Sequence, residues 1–287
     1  MRWSPGDRSN IEDRRGGGGG MMRGGMGLGI GGVLIVGLLS LVTGTDLFSI
    51  LNQTGGPAPQ EAPAEPGQIQ TSPAEERIVD FVSAVAGDNQ DVWSQLLGGR
   101  YQRTVVTLFR DVVQSQCGMA ESATGPFYCP GDQKVYLDLG FFAELDQKFG
   151  ASGDFAQAYV IAHEFGHHIQ NLLGTNERAA RDRSTGPNSS SVALELQADC
   201  YAGVWGNAAS KAGRFQSGKI ELEPGDAEEG LRAAAAIGDD RLQRMGSGRV
   251  QPERFTHGSS AQRQEWFQRG FQSGDPGRCD TFSELTQ

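Results

Sequence analysis

The chain has 287 residues, of which 37% are hydrophobic and 21% are charged, and its formal net charge is −10. This length can bury a sizeable core, whereas an excess of acidic over basic residues disfavours a nucleic-acid partner, which would require a basic surface. Four cysteines are too few for a disulfide-dense miniprotein, and the 42 glycines follow no collagen repeat.

An uncharged segment, residues 24–45, follows a basic and glycine-rich leader, residues 1–23. Because about 20 helical residues cross the hydrocarbon core of a bilayer, this segment predicts a single transmembrane helix. A cleaved signal peptide is the alternative, since the apolar centre of the segment is short. The long leader and the absence of a clear small-residue cleavage site favour an uncleaved anchor.

The charges on either side of this segment predict its orientation. The leader holds five arginines and three acidic residues, whereas the chain beyond residue 45 holds 20 basic and 32 acidic residues. The positive-inside rule therefore predicts a single-pass protein with the leader in the cytoplasm and the rest outside it. Residues 46–73 contain five prolines and predict an extended linker, which leaves residues 74–287 as the main domain.

All four cysteines lie in the part predicted to be exported, where disulfides persist. Three pairings are possible. A Cys117–Cys129 bond would close a short loop, and a Cys200–Cys279 bond would tie a central helix to the C-terminal tail. Four free buried thiols are the alternative to disulfides.

Residues 74–287 predict a domain built mainly of helices. Ser72 and Pro73 form a helix N-cap, after which apolar residues at helical spacing form two successive short segments that end at Gly98. The best strand candidates are residues 104–109 and 134–139. Amphipathic helices follow at Asp154–Leu173, before a C-capping Gly174, and at residues 192–212, 227–236 and 260–270. Few strands and several long helices predict an α+β fold, mostly α.

The predicted helix at Asp154–Leu173 contains the candidate metal-binding and catalytic residues. His163 and His167 are four residues apart, so both imidazoles leave one helical face and can bind one tetrahedral Zn²⁺. Glu164 lies beside these ligands, where a carboxylate can take a proton from metal-bound water. The polar motif interrupts an apolar stripe, which a solvated helix surface does not explain. The spacing therefore predicts a catalytic zinc site.

A catalytic zinc site needs a third protein ligand. We assign Glu195 as that ligand and Asp199, one helical turn later, as the carboxylate that orients His163. Two exposed helix acids are the alternative, which the apolar surroundings of both residues disfavour. His168 and His257 are rival third ligands, and His168 is discounted because it is rotated about 100° from the preceding histidine.

These residue types together predict hydrolysis of a carbonyl compound. Glu164 would accept the proton of the water and return it to the leaving amine. His257 or Tyr201 could stabilise the oxyanion, although an ordinary structural role fits either residue equally well. Residues 134–139 could form the sheet edge along which an extended peptide pairs, or a plain sheet strand.

Further sequence blocks accompany the histidine motif. They are Arg2 with Trp3, and residues 10–15, 125–130, 135–139, 163–170, 195–200, 238–241 and 256–260. Through these blocks the chain resembles the bacterial "putative neutral zinc metallopeptidase" family, membrane-anchored relatives of the gluzincins. The resemblance implies a zincin-like fold with His163, His167 and Glu195 as zinc ligands and Glu164 as catalytic base.

The leading hypothesis is a zinc endopeptidase anchored in the bacterial cytoplasmic membrane, with one catalytic zinc ion and a peptide or protein substrate. A zincin-fold accessory module that binds zinc without turnover is the rival. Glu164 favours the enzyme, because a purely structural site needs no base beside the metal. Hydrolysis of a non-peptide amide would share the same metal chemistry. The sequence carries no signal for the oligomeric state.

Overall fold

The structure is a computed structural model that describes residues 1–16, 71–148, 150–151, 153–182 and 184–285. In this part of the chain, two small sheets lie beside a larger set of helices. The predicted α+β class with a majority of helix is therefore confirmed for the described residues.

The strands are short and lie in the first half of the chain. They are β1 (Ile11–Asp13), β2 (Val105–Phe109), β3 (Val112–Ser115), β4 (Gly118–Glu121), β5 (Phe127–Cys129) and β6 (Lys134–Asp138). The helices are α1 (Pro73–Leu97), α2 (Gly140–Gln147), α3 (Asp154–Leu173), α4 (Thr175–Ala179), α5 (Ser190–Ala209), α6 (Asp226–Ala236), α7 (Asp239–Ser247), α8 (Ser260–Ser273) and α9 (Thr281–Leu285).

The main sheet has the strand order β1-β2-β6-β5, while β3 and β4 form a separate hairpin. Strands β1, β2 and β6 run parallel, and β5 is antiparallel to β6 at one edge. Of the two alternatives for residues 134–139, the plain sheet strand is correct and the edge strand is wrong, because β6 lies inside the sheet. Its residues from Val135 onward are buried on both faces, which is typical of an internal strand.

Helix α1 is one continuous helix, whereas two segments were expected from the apolar spacing. The Ser72 hydroxyl accepts the Glu75 N–H at 3.1 Å, and Pro73 occupies the first turn. The predicted Asp154–Leu173 helix is confirmed at both ends as α3. It stops at Gly174, whose φ of 75° is the left-handed conformation that glycine adopts most easily.

Helices α5 and α8 approach until their backbones touch. A Cβ on Gly270 would lie 1.9 Å from the carbonyl oxygen of Cys200, so no larger residue fits this crossing. The close approach holds α8 against α5. This contact positions Arg263 of α8 beside Asp199 of α5.

The first 15 residues of the leader form part of the folded domain. Residues Met1–Arg15 belong to one compact unit with Gln70–Gln287, and β1 pairs with β2 in parallel. The Arg15 side chain is almost fully buried and makes ion pairs with Glu75 at 3.0 Å and Glu76 at 3.1 Å. The ring of Trp3 packs edge-to-face on Phe81 with 5.3 Å between ring centroids.

This arrangement corrects the predicted localisation. A single membrane crossing between Arg15 and Gln70 would put β1 and β2 on opposite sides of the bilayer, yet they lie in one sheet. Within the described ranges, no helix combines the length and the apolar character that a membrane span requires. The predicted transmembrane helix, residues 24–45, lies outside the described residues. The single-pass topology and the transmembrane element of the predicted fold are therefore wrong.

Candidate metal centre

Helices α3 and α5 bring two imidazoles and one carboxylate together. The His163 Nε2 lies 3.2 Å from Glu195 Oε2, and the His167 Nε2 lies 3.6 Å from Glu195 Oε1. One potential ligand atom from each of these residues lies within 4.8 Å of the other two. Two imidazole nitrogens and a carboxylate form a common ligand set of catalytic zinc, so the three residues fit such an ion.

The two helices can approach because the motif contains a glycine between its histidines. A Cβ on Gly166 would lie 2.8 Å from the Cα and 2.9 Å from the carbonyl oxygen of Ala198. Any side chain at this position would push α5 away from α3. Gly166 therefore allows Glu195 to reach the histidines across the helix interface.

The Nδ1 atom of each of these histidines has a side-chain hydrogen-bond partner. His163 Nδ1 lies 2.8 Å from Asp199 Oδ1, and His167 Nδ1 lies 2.8 Å from Gln170 Oε1. Because both partners offer oxygen acceptors, each Nδ1 carries the proton and each Nε2 keeps its lone pair free for a cation. Asp199 thus lies against His163, the residue that it was predicted to orient.

Asp199 is itself neutralised by a buried arginine. Arg263 donates from Nε to Oδ2 at 2.8 Å and from Nη2 to Oδ1 at 2.9 Å, and the Tyr159 hydroxyl also donates to Oδ1. Arg263 is 2% exposed, and Asp199 is fully buried. Burial opposes ionisation of this carboxyl, but Arg263 and His163 outweigh it and hold the pKa of Asp199 below its usual range.

Glu164 points into an open cavity beside the three candidate ligands. The cavity has a volume of about 730 Å³, and its lining also includes Tyr128 of β5 and His257. Glu164 is 7% exposed, and burial raises its pKa. A carboxylate whose proton affinity is raised in this way is suited to take up a proton and release it again.

His257 lies at the rim of the same cavity, with its side chain half exposed. The Asp239 carboxylate organises its loop, since Oδ2 accepts the backbone N–H groups of Thr256 and His257 at 2.7 Å each. The His257 Nδ1 lies 3.3 Å from Asp239 Oδ1. This hydrogen bond raises the pKa of His257 and leaves its Nε2 for the cavity.

The other candidates from the sequence lie away from this constellation. His168 is fully buried, and its two ring nitrogens contact Tyr128 and the backbone of Gln102. Tyr201 packs against Trp93 with 5.3 Å between ring centroids and is not among the residues that line the cavity. Neither residue is therefore placed for the ligand or oxyanion role considered above.

The four cysteines form two disulfides, Cys117–Cys129 and Cys200–Cys279. The predicted disulfides are confirmed, and the pairing is the one whose two bonds were described from the sequence among the three possible pairings. The first bond fixes the end of β5, and the second ties α5, next to Asp199, to the C-terminal segment. Both therefore restrain elements that line or support the cavity.

Comparisons with known proteins match this chain over most of its length. The family model described as "putative neutral zinc metallopeptidase" matches residues 1–282. Uncharacterized protein YpfJ of Escherichia coli strain K12 is 44% identical over 298 aligned positions, which cover 99% of each chain. Uncharacterized protein Rv2575 of Mycobacterium tuberculosis strain H37Rv is 46% identical over 253 positions, 85% of each chain. No solved structure matches the chain.

The family match includes strand β1 at the start of the chain, which belongs to the main sheet, as well as the two site helices. Zinc is the metal that this family implies. The resemblance inferred from the sequence blocks is thereby confirmed, and the chain belongs to the "putative neutral zinc metallopeptidase" family.

Proposed function

We propose that the protein is a zinc-dependent endopeptidase that hydrolyses peptide bonds in extended substrates. The observation that carries the proposal is the position of Glu164. Its buried carboxyl lines an open cavity together with three residues that suit one zinc ion. A purely structural zinc site would instead be closed by a fourth protein ligand.

Nε2 of His163, Nε2 of His167 and the carboxylate of Glu195 would hold the single zinc ion. Bound there, zinc supplies Lewis acidity to water and to the scissile carbonyl group. Asp199 and Gln170 keep the two imidazoles in the tautomer that binds a cation. Arg263 in turn holds Asp199 in place.

Glu164 accepts a proton from the attacking water and delivers it to the nitrogen of the leaving amine. Burial raises the pKa of its carboxyl, which makes Glu164 a stronger proton acceptor than an exposed glutamate. His257, held by Asp239, donates from its free ring nitrogen to the oxygen that becomes negative as the carbonyl is attacked.

The substrate backbone would pair with strand β5, the sheet edge that lines the cavity. Edge strands bind extended peptides through main-chain hydrogen bonds, and side-chain pockets then supply selectivity. Apolar side chains line much of the cavity, among them Phe141, Val160, Ile237 and Leu242. Peptide and protein substrates therefore suit the cavity.

Cleavage of a mixed peptide library by the full chain tests the proposal. We expect cleavage by the zinc-loaded protein, loss of cleavage on chelation and recovery when zinc is restored. Glu195→Gln should bind zinc at least tenfold more weakly, because a zinc ligand is lost. Zinc binding without any cleavage would support the rival, an accessory module. Cleavage of amide compounds but not of peptides would move the substrate class to non-peptide amides.

A further inference from the structure

His168 is a buried histidine beside the proposed ligand His167, and the proposed mechanism does not use it. Its side chain is fully buried, on the face of α3 that meets the sheet. The His168 Nε2 lies 2.7 Å from the carbonyl oxygen of Gln102, and the Nδ1 lies 3.0 Å from the hydroxyl of Tyr128.

These contacts determine the direction of each hydrogen bond. A carbonyl oxygen only accepts, so His168 Nε2 must donate to Gln102. In the neutral ring, Nδ1 is then an acceptor, and the Tyr128 hydroxyl donates to it. The same hydroxyl accepts a hydrogen bond from the Asn171 side chain at 3.1 Å. Two residues of α3 therefore hold one hydroxyl group as both donor and acceptor.

Tyr128 is the middle residue of β5, the edge strand that lines the cavity. Alternate residues of a strand face opposite sides of the sheet. Tyr128 packs with the core that includes α3, whereas Cys129 faces the other side and is bonded to Cys117. The strand has three residues and pairs only with β6 among the described strands, so these side-chain contacts add to the support from that pairing.

We propose that His168 and Asn171 are positioning residues that fix β5 relative to the metal-binding helix. By holding the Tyr128 hydroxyl, they set the distance between the edge that pairs with substrate backbone and the residues proposed to bind zinc on α3. The inference rests on the proposed peptidase function and narrows its substrate class. Binding of peptides that are long enough to pair with β5 therefore depends on this link.

Amide hydrogen exchange of the full chain tests the link without any substrate. Tyr128→Phe removes only the hydroxyl, and we expect the amides of Phe127–Cys129 to exchange at least tenfold faster, with zinc affinity within twofold of wild type. Tyr101→Phe is the matched control. Its hydroxyl bonds to Gln90, and its ring also packs on His168, but it lies outside β5. Unchanged exchange in Tyr128→Phe would overturn the inference.

Kinetics supply the second test, provided that the wild-type protein cleaves peptides. Loss of one buried hydrogen bond predicts a KM about tenfold higher for a long peptide in Tyr128→Phe, with kcat within about twofold. His168→Asn, whose amide oxygen can accept from Tyr128, should recover part of the loss seen in His168→Ala. Equal KM values in wild type and Tyr128→Phe would contradict the inference.

Zinc-binding measurements distinguish the role of His168 from that of His167. We expect His168→Ala to keep zinc and His167→Ala to lose it, and loss of zinc from His168→Ala would contradict a positioning role. If the wild-type protein binds zinc but cleaves no peptide, the proposed function fails. The exchange of the β5 amides then still decides whether His168 holds the strand.

Discussion

Asp199 and Arg263 form a buried ion pair directly behind His163, and its disruption should affect both folding and metal binding. In Asp199→Asn, the amide keeps an oxygen for His163 but turns an NH₂ group toward the guanidinium. Arg263, which is 2% exposed, is then left with a buried charge and no carboxylate. Removing one partner of a buried ion pair costs about 3–5 kcal/mol of folding free energy.

The effect on the metal should be separate and smaller. Loss of an outer carboxylate typically lowers metal affinity about 10- to 100-fold. Because Asn retains an acceptor for the Nδ1 proton of His163, we expect the lower end of that range. Urea denaturation of the zinc-free protein measures the first effect, and competition with a zinc indicator measures the second.

Two further variants test whether burial of the ion pair causes the loss of stability. Glu265→Gln removes an ion pair with Arg269 on the same helix, but Glu265 is 68% exposed, so the cost should stay below about 1 kcal/mol. Adding Arg263→Met to Asp199→Asn removes the unpaired charge and should recover part of the lost stability. A loss for Asp199→Asn as small as that for Glu265→Gln would refute the account of the pair.

Three other predictions concern the loss of stability in acid, the removal of a disulfide bond and the removal of zinc. Arg8 and Arg15 lower the pKa of Glu76 in the folded protein. Their ion pairs with Glu76 therefore contribute fully to the free energy of unfolding above the unfolded pKa of about 4.3. This contribution is lost as the pH falls through the lower pKa of the folded state. Thermal unfolding from pH 7 to pH 3 should show this loss, and Glu76→Gln should reduce it. Replacing Cys200 and Cys279 with alanine opens a loop with a sequence separation of 79; urea denaturation should show a loss of about 4 kcal/mol, and an unchanged midpoint would contradict this. Chelation should lower the melting temperature, and zinc at about 1,000 times its Kd should restore about 4 kcal/mol, whereas magnesium should not.

Local patterns predicted the long helices α3 and α5 and the positions of α6 and α8, but they missed the short helices α2, α4, α7 and α9. Helix α3 shows an apolar periodicity and a C-terminal glycine, both of which lie within the helix itself. The interior position of β6 was not predictable in this way. A strand buried on both faces has no alternating pattern, and its neighbours β2 and β5 come from other parts of the chain.

The leader was wrongly predicted to be a cytoplasmic flank, because its arginines suit either a membrane flank or ion pairs within a folded domain. Arginines before an apolar segment are typical of a cytoplasmic flank. In the structure, Arg8 and Arg15 instead bind Glu76, more than 60 residues later in the sequence. Strand β1 has three residues, which is too short for periodicity to reveal it.

Some residues of the candidate site could be predicted from local sequence patterns, and others could not. His163 and His167 share one helix, as Glu195 and Asp199 share another, so their spacing could be read directly. Gln170 lies three residues after His167 on the same helix face, a signal that could have been found. Arg263 and Asp239 reach the site from distant segments, and Tyr159 lies one turn before His163 within the apolar stripe. No local pattern distinguishes these three residues from ordinary helix residues.

The most direct measurement compares bound zinc and peptide cleavage in Glu164→Gln and wild type. This substitution keeps the shape of the side chain but removes its ability to accept a proton. The account predicts one zinc ion per chain in both proteins and cleavage lowered by about 10²- to 10⁴-fold in the variant. Full zinc occupancy with cleavage within a few-fold of wild type would contradict the role of Glu164 as the proton acceptor.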